Sequence, residues 1–178
     1  GLNRIDFKGD GFEVKPVVIS SERKRELESN LLMFFTGFTR FSSDMQKVNK
    51  VTDKTAQLLE MLALVDEAEA ALTDKARPLS DFGRLLDTTW QLKRGTGSAI
   101  STGPIDELYA RGMGAGALGG KLLGAGGGGF LVFYVEPDAQ ASVREAMAGL
   151  LEIPFEFEDG GTTVAYYEAE DYDLEGAR

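Results

Sequence analysis

The stretch Lys121–Val135, KLLGAGGGGFLVFYV, places four consecutive glycines directly before an apolar run. Phe130–Val135 is short and rich in aromatic and β-branched residues, which predicts a buried strand. Glycine costs about 0.5–1 kcal/mol relative to alanine in regular structure, so such a cluster is disfavoured unless the backbone needs a positive φ or a close approach. The junction therefore predicts a tight backbone turn that is anchored by a buried strand.

The composition of the whole chain is that of a globular protein, with 178 residues, 43% hydrophobic and 27% charged. Its net charge of −10 is opposite in sign to that of most nucleic-acid-binding proteins. The lack of cysteine and histidine excludes disulfides, thiol nucleophiles and Ser-His-Asp catalysis, and it removes nearly all zinc sites. No apolar stretch reaches the roughly 20 residues of a membrane helix. We expect a cytoplasmic protein without a nucleic-acid or membrane partner.

Strands and helices are predicted to mix without strict alternation. The predicted strands cover residues 2–7, 12–18, 31–35, 130–135, 155–157 and 163–168. Three predicted helices cover residues 20–30, 43–72 and 138–151. Two more are predicted to begin after Pro78 and at Pro104. This mixture predicts an α+β fold in which an antiparallel sheet carries helices on one side.

Two of the predicted helices have apolar stripes that we expect to be buried. In the helix predicted over residues 43–72, the stripe consists of Leu58, Leu62, Val65 and Leu72. The stripe of the last helix consists of Val143, Met147, Leu150 and Leu151. In the helix after Pro78, Trp90 is interpreted as a core residue.

The glycine segment between Gly112 and Val135 contains ten glycines, and Lys121 is its only charged residue. One interpretation is an anion-binding nest of peptide N–H groups with a lysine beside it. The other is a tight connection or a packing contact. Gly114–Gly119 satisfies the pattern G-x-G-x-x-G, but the dinucleotide fingerprint follows a strand, whereas these glycines follow a predicted helix. We interpret the match as accidental; a strand immediately before Gly114 would support an oxidoreductase instead.

The segment Lys121–Phe130 closely resembles the third signature motif of the GHMP kinases, the superfamily of galactokinase, homoserine kinase, mevalonate kinase and phosphomevalonate kinase. Three further segments, Phe35–Arg40, Trp90–Lys93 and Ile105–Tyr109, together with the lead-in Gly116–Lys121, resemble the sugar-kinase branch that acts on D-glycero-D-manno-heptose 7-phosphate. The similarity covers nearly the whole chain.

The resemblance implies that residues 1–178 are a GHMP kinase C-terminal domain, with a four-stranded antiparallel sheet of ferredoxin-like type and additional helices. Residues 1–18 would be the tail end of a sheet that belongs to the N-terminal half. That half would bind most of the ATP and Mg²⁺ and would carry the catalytic base, so this sequence alone is expected to be inactive and to contain no metal ligand.

The resemblance also implies phosphoryl transfer from MgATP to a sugar or sugar-phosphate hydroxyl, at C1 for the heptose. The phosphate or substrate loop would consist of Gly124, Ala125, Gly126, Gly127, Gly128 and Gly129. Candidate substrate-binding residues are Lys121, Thr36, Thr39, Arg40, Lys93 and Ser101. Purely structural roles remain open for each of them, such as a salt bridge for Arg40. Two alternatives also remain, another small-molecule kinase of galactokinase or fucokinase type and a non-catalytic interaction module.

Overall fold

The computed structural model describes residues 1–37, 54–97, 100–124 and 128–167. These residues belong to two units. The smaller unit contains Gly1–Pro16 and the described residues from Phe157 onward, and the larger unit is Val17–Glu156. In the described part of the chain, no helix has both the length and the apolar character needed to cross a membrane.

The smaller unit is built on an antiparallel hairpin of β1 (Asn3–Lys8) and β2 (Gly11–Pro16). This confirms the predicted strand pair, although the second strand ends at Pro16. One face of the hairpin is apolar and exposed, and its residues are Ile5, Phe7, Phe12 and Val14. The opposite face carries charges, where Asp6 pairs with both Arg4 and Lys15 at 2.9 Å. The hairpin is therefore amphipathic.

Among its described residues, the larger unit contains a four-stranded sheet and five α-helices. The strands are β3 (Leu31–Phe35), β4 (Gly119–Leu123), β5 (Phe130–Tyr134) and β6 (Leu151–Glu152), in the order β4-β5-β3-β6 with every neighbouring pair antiparallel. The helices are α1 (Ser21–Ser29), α2 (Thr55–Thr73), α3 (Ser80–Gly95), α4 (Gly103–Gly114) and α5 (Gln140–Ala146). The predicted α+β class and four-stranded antiparallel sheet are confirmed.

The main hydrophobic cluster lies on one face of this sheet. Alternate residues of β3 and β5 point to the same side, so Leu32 and Phe34 lie beside Phe133 and Leu131. They pack against buried side chains of α4, of α5 and of the residue that follows α5, namely Ile105, Leu108, Tyr109, Val143 and Met147. Trp90 of α3 has no exposed surface and belongs to the same cluster. The prediction that Trp90 is a core residue is confirmed.

Strand β4 was not predicted, because two glycines at its start resemble a loop. A Cβ at Gly119 would collide with the carbonyl oxygen of Gly83 in α3, and one at Gly120 would lie 2.6 Å from the carbonyl oxygen of Val132. Glycine is required in this strand because another backbone approaches closely. Since α4 ends at Gly114 and β4 begins at Gly119, the G-x-G-x-x-G segment connects a helix to a strand, and the accidental interpretation of that match is confirmed.

Three other local predictions are wrong. Residues 155–157 and 163–167 contain no strand, and the last strand of the sheet is Leu151–Glu152. The last helix ends at Ala146 because Gly149, with φ of +94°, turns the chain into β6, where Leu151 is 63% exposed. Most of the predicted stripe of α2 is exposed as well, and its exposed members are Leu58, Leu62 and Val65. This helix is apolar on more than one side, so the sequence pattern alone did not identify its buried face.

Candidate functional site

The glycine segment forms a hairpin connection at one end of the sheet. Phe35 and Leu123 both pair with Phe130, so β3 and β4 end where β5 begins. Gly124 and Gly129 are described residues at the two ends of the connection, and their φ angles are +101° and +112°. Residues other than glycine rarely adopt these angles. The connection therefore depends on glycine at both ends.

Thr36 fixes this connection to β3. Its backbone N–H donates to the carbonyl oxygen of Gly129 at 2.9 Å, and its hydroxyl donates to the same oxygen at 2.8 Å. Thr36 is only 4% exposed, so these bonds lie in an environment that water enters poorly. The described contacts give Thr36 a positioning role, and its predicted contact with substrate stays a prediction.

A cleft of about 330 Å³ opens beside Thr36. Its walls come from the end of β3, helix α4 and the turn before β6, and the lining residues are Thr36, Pro104, Glu107, Leu108, Arg111 and Leu150. The cleft combines apolar surface with one basic and one acidic side chain. It can therefore accommodate a small polar molecule next to the base of the glycine connection.

Lys121 lies in the middle of β4 on the face opposite to the core, since its neighbour Leu122 is fully buried in the core cluster. Its side chain is half-buried. Burial lowers the pKa of Lys121, and the positive charge of Lys93 near the end of α3 lowers it further. The structure thus brings together two lysines that were predicted separately.

Ser101 and Asp106 tie the start of α4 to α3. The hydroxyl of Ser101 donates to Asp106 at 2.6 Å, and Arg94 forms an ion pair with the same carboxylate at 2.9 Å. These contacts give Asp106 a structural role. The predicted contact of Ser101 with substrate stays a prediction.

A buried tyrosine and a half-buried aspartate next to β4 were missed by the sequence analysis. The hydroxyl of Tyr109 donates to Asp87 at 2.6 Å and also hydrogen-bonds with the backbone of Gly120. Burial and the bond to Asp87 raise the pKa of Tyr109 far above its usual value. The sequence signal that could have indicated this pair is Asp87 itself, a charged residue on the helix face that also carries Gly83 and Trp90. These contacts fix α3 and α4 against β4.

Several predicted residues have no described position. Thr39 and Arg40 lie outside the described residues, and so do three members of the predicted loop, Ala125, Gly126 and Gly127. Within the described ranges, no group of three or more histidine, cysteine, aspartate or glutamate residues is arranged to hold a metal ion. The described carboxylates therefore do not form a three-ligand magnesium site.

Comparisons with known proteins support a specific family. A sequence model described as GHMP kinases C terminal matches residues 61–152. A D-glycero-alpha-D-manno-heptose 7-phosphate kinase of Campylobacter jejuni is 28% identical over 151 residues, which are 83% of this chain and 44% of that protein. A mevalonate kinase of Pyrococcus horikoshii is 30% identical over 132 residues, covering 68% of this chain and 38% of that protein.

A solved structure has the same fold. The mevalonate kinase of Methanococcus jannaschii aligns with a TM-score of 0.64 at 23% identity, over 84% of this chain and 45% of that chain. The chain spans less than half the length of the curated relatives it matches. Because the family model matches just over half of the sequence, the chain belongs to the GHMP kinases and contains their C-terminal domain.

Proposed function

We propose that the protein is the C-terminal domain of a kinase that transfers a phosphoryl group from MgATP to a hydroxyl of a sugar or sugar phosphate. The observation that carries this proposal is the end of the sheet, where Thr36 holds the glycine connection beside a cleft of about 330 Å³. The curated relatives that support it have kinase names. The proposal includes a cytoplasmic location.

Phosphoryl transfer depends on positioning and on neutralising charge more than on covalent participation of the protein. In the proposal, Gly124–Gly129 lie beside the reacting phosphate, and their lack of side chains lets main-chain N–H groups approach it. Candidate substrate contacts are Thr36, Thr39, Arg40 and Ser101, together with the two lysines. No catalytic base is assigned to this chain.

The proposed acceptor is D-glycero-D-manno-heptose 7-phosphate, with its C1 hydroxyl as the nucleophile. Support comes from the name of the Campylobacter jejuni relative, which is 28% identical to this chain. The mevalonate kinase relative, at 30% identity, favours a different alcohol as the main alternative within the family. A galactokinase- or fucokinase-like acceptor is a further alternative.

The remaining parts of the reaction are assigned to a preceding half of the kinase. The hairpin β1–β2 has an exposed apolar face, and a two-stranded sheet is marginally stable by itself. We therefore assign residues 1–18 to a larger sheet of that half, which would supply the main ATP-binding loop, the Mg²⁺ site and the base. The length of the curated relatives supports this assignment, since the chain covers 44% and 38% of them.

The test is ADP release by the full-length protein with MgATP and a panel of heptose 7-phosphate, galactose, fucose and mevalonate. The highest kcat/KM is expected with the heptose phosphate. Gly127→Val should abolish transfer, because a side chain would obstruct the loop, while Gly114→Ala serves as the glycine control. Absence of ADP release with every acceptor would refute the kinase proposal and favour a non-catalytic interaction module.

A further inference from the structure

The lysine pair, Lys93 and Lys121, is electrostatically unusual for this protein. The chain has 29 acidic and 19 basic residues, so carboxylates are abundant. Neither lysine forms an ion pair with a carboxylate among the residues that the structure describes. Other basic residues of α3 are neutralised, as Arg94 pairs with Asp106 and Arg84 with Asp81. The lysine pair is thus a local excess of positive charge in an acidic protein.

The fold explains why the two charges are close. Helix α3 packs directly on β4, because Gly119 leaves room for the backbone at Gly83 and Asp87. Lys121 follows two positions after Gly119 in β4, and Lys93 follows Asp87 by less than two helical turns. Both lysines are therefore held by rigid elements rather than by loops.

Within the part of the chain that the structure describes, intramolecular interactions compensate only one of the two charges. Lys93 lies in the last turn of α3, where a cation is stabilised by the partial negative charge of the helix C-terminus. Lys121 lies on a strand and has no such compensation. A half-buried ammonium group that faces a second cation is destabilised unless an anion binds there. The lowered pKa of Lys121 agrees with an uncompensated charge.

We propose that Lys93 and Lys121 together bind a phosphate group of a substrate, so that they determine specificity at the proposed kinase site. A phosphate monoester carries a charge of about −1.5 to −2 at neutral pH, which two lysines neutralise. Lys121 lies three residues before Gly124, about 10 Å along the strand. The phosphate is brought either by the acceptor or by the nucleotide. The inference rests on the proposed function, which supplies both sources.

The first test measures binding without catalysis. Inorganic phosphate is added to the full-length protein, and the melting temperature is compared with that in sodium chloride of equal ionic strength. Phosphate is expected to raise the melting temperature of the wild type, and the rise should be smaller in Lys121→Met and in Lys93→Met. Lys75→Met is the matched control, because Lys75 is exposed and distant in sequence from both lysines. An equal rise in all four proteins would refute the phosphate site.

The second test distinguishes the two sources of phosphate. Lys121→Gln is expected to raise the KM of either the phosphorylated acceptor or ATP by about 10- to 100-fold. This is the loss of affinity expected when a hydrogen bond to a charged group is removed. A rise in the KM of a phosphorylated acceptor assigns the lysines to the acceptor, and a rise in the KM of ATP assigns them to the nucleotide. Lys121→Arg should retain most of the affinity. Unchanged KM values for both substrates would overturn the inference.

The two tests also separate failure of this inference from failure of the proposed function. If the wild type transfers no phosphate to any acceptor, the kinase proposal fails, while the melting temperatures still report on the lysine pair. If transfer occurs but the lysine variants match the wild type in both tests, only the lysine inference fails.

Discussion

Replacing Gly119 by alanine should damage the fold strongly, because its added Cβ meets the main chain of a neighbouring helix. The added Cβ would collide with the carbonyl oxygen of Gly83 and would lie 2.8 Å from the backbone nitrogen of Asp87. Both obstacles are main-chain atoms of α3, so no side chain can rotate away. Carbon atoms pack favourably at about 3.5–4.0 Å, which means that α3 must move away from β4 by about 1 Å or more.

The magnitude follows from what this displacement disturbs. Overpacking a core usually costs about 1–3 kcal/mol, and a clash between two backbones belongs at the upper end. The shift also disturbs the bond between Tyr109 and Asp87, which joins α3 to α4. The lower backbone entropy of alanine in the unfolded chain offsets only about 0.4–1 kcal/mol. We therefore expect Gly119→Ala to lower the free energy of unfolding by about 3 kcal/mol.

Urea unfolding followed by the fluorescence of Trp90 measures this change, because Trp90 is the only tryptophan of the sequence and is fully buried on α3. The corresponding fall in melting temperature is about 6–12 °C for a domain of this size. Gly114→Ala is the control, since nothing lies within 4 Å of its added Cβ, and it should leave stability unchanged or slightly raised. A Gly119→Ala protein as stable as the Gly114→Ala control would show that the close contact between α3 and β4 is not needed.

Three further predictions concern individual polar groups. Thr36→Val should lower the free energy of unfolding by about 1 kcal/mol, because the hydroxyl that donates to Gly129 is lost. Thr36→Ser keeps a hydroxyl and should retain most of the wild-type stability. Equal urea midpoints for the two variants would contradict this role of the hydroxyl. Lys121→Met should stabilise the protein by about 1 kcal/mol at neutral pH, because the wild type keeps a disfavoured positive charge there. As the pH approaches the ordinary pKa of lysine, the wild type should gain stability relative to the variant, because its unfolded state then binds more protons than its folded state. The pKa of Tyr109 is raised in the folded state, so its contribution to stability is complete below about pH 10 and is lost as pH rises further, because only the unfolded state then releases the proton. Tyr109→Phe should reduce this alkaline loss, and an unchanged slope of stability against pH would contradict the assignment.

Much of the fold was predictable because local signals agreed with the tertiary structure. Strands β3 and β5 are short apolar runs, and both are largely buried in the sheet. Helix α1 begins after Ser20, whose hydroxyl accepts a hydrogen bond from the backbone of Arg23, and α4 begins with a proline in its first turn. Where capping and periodicity coincide with burial, the sequence alone is sufficient to predict the helix or strand.

The failures arise where a distant backbone decides the local structure. Gly119 and Gly120 resemble a loop in the sequence, because the backbone atoms that exclude a side chain at these positions belong to α3 and β5. Phe155 and Phe157 alternate with acidic residues as in a strand, but the structure contains no strand at residues 155–157. Lys93 and Lys121 were each candidates, yet their proximity depends on the packing of α3 against β4. Sequence patterns report local preferences, and they do not report which elements will touch.

The glycines of the segment have separate roles that together position the candidate site. Gly119 allows α3 to approach β4, and this approach places Lys93 near Lys121. Gly124 and Gly129 instead provide positive φ angles that turn the chain at the end of the same strand. The packing role and the functional role are therefore linked. Gly119→Ala should weaken the phosphate-dependent rise in melting temperature together with stability, whereas Gly114→Ala should alter neither, and a Gly119→Ala protein with an undiminished phosphate response would separate the lysine pair from the packing of α3.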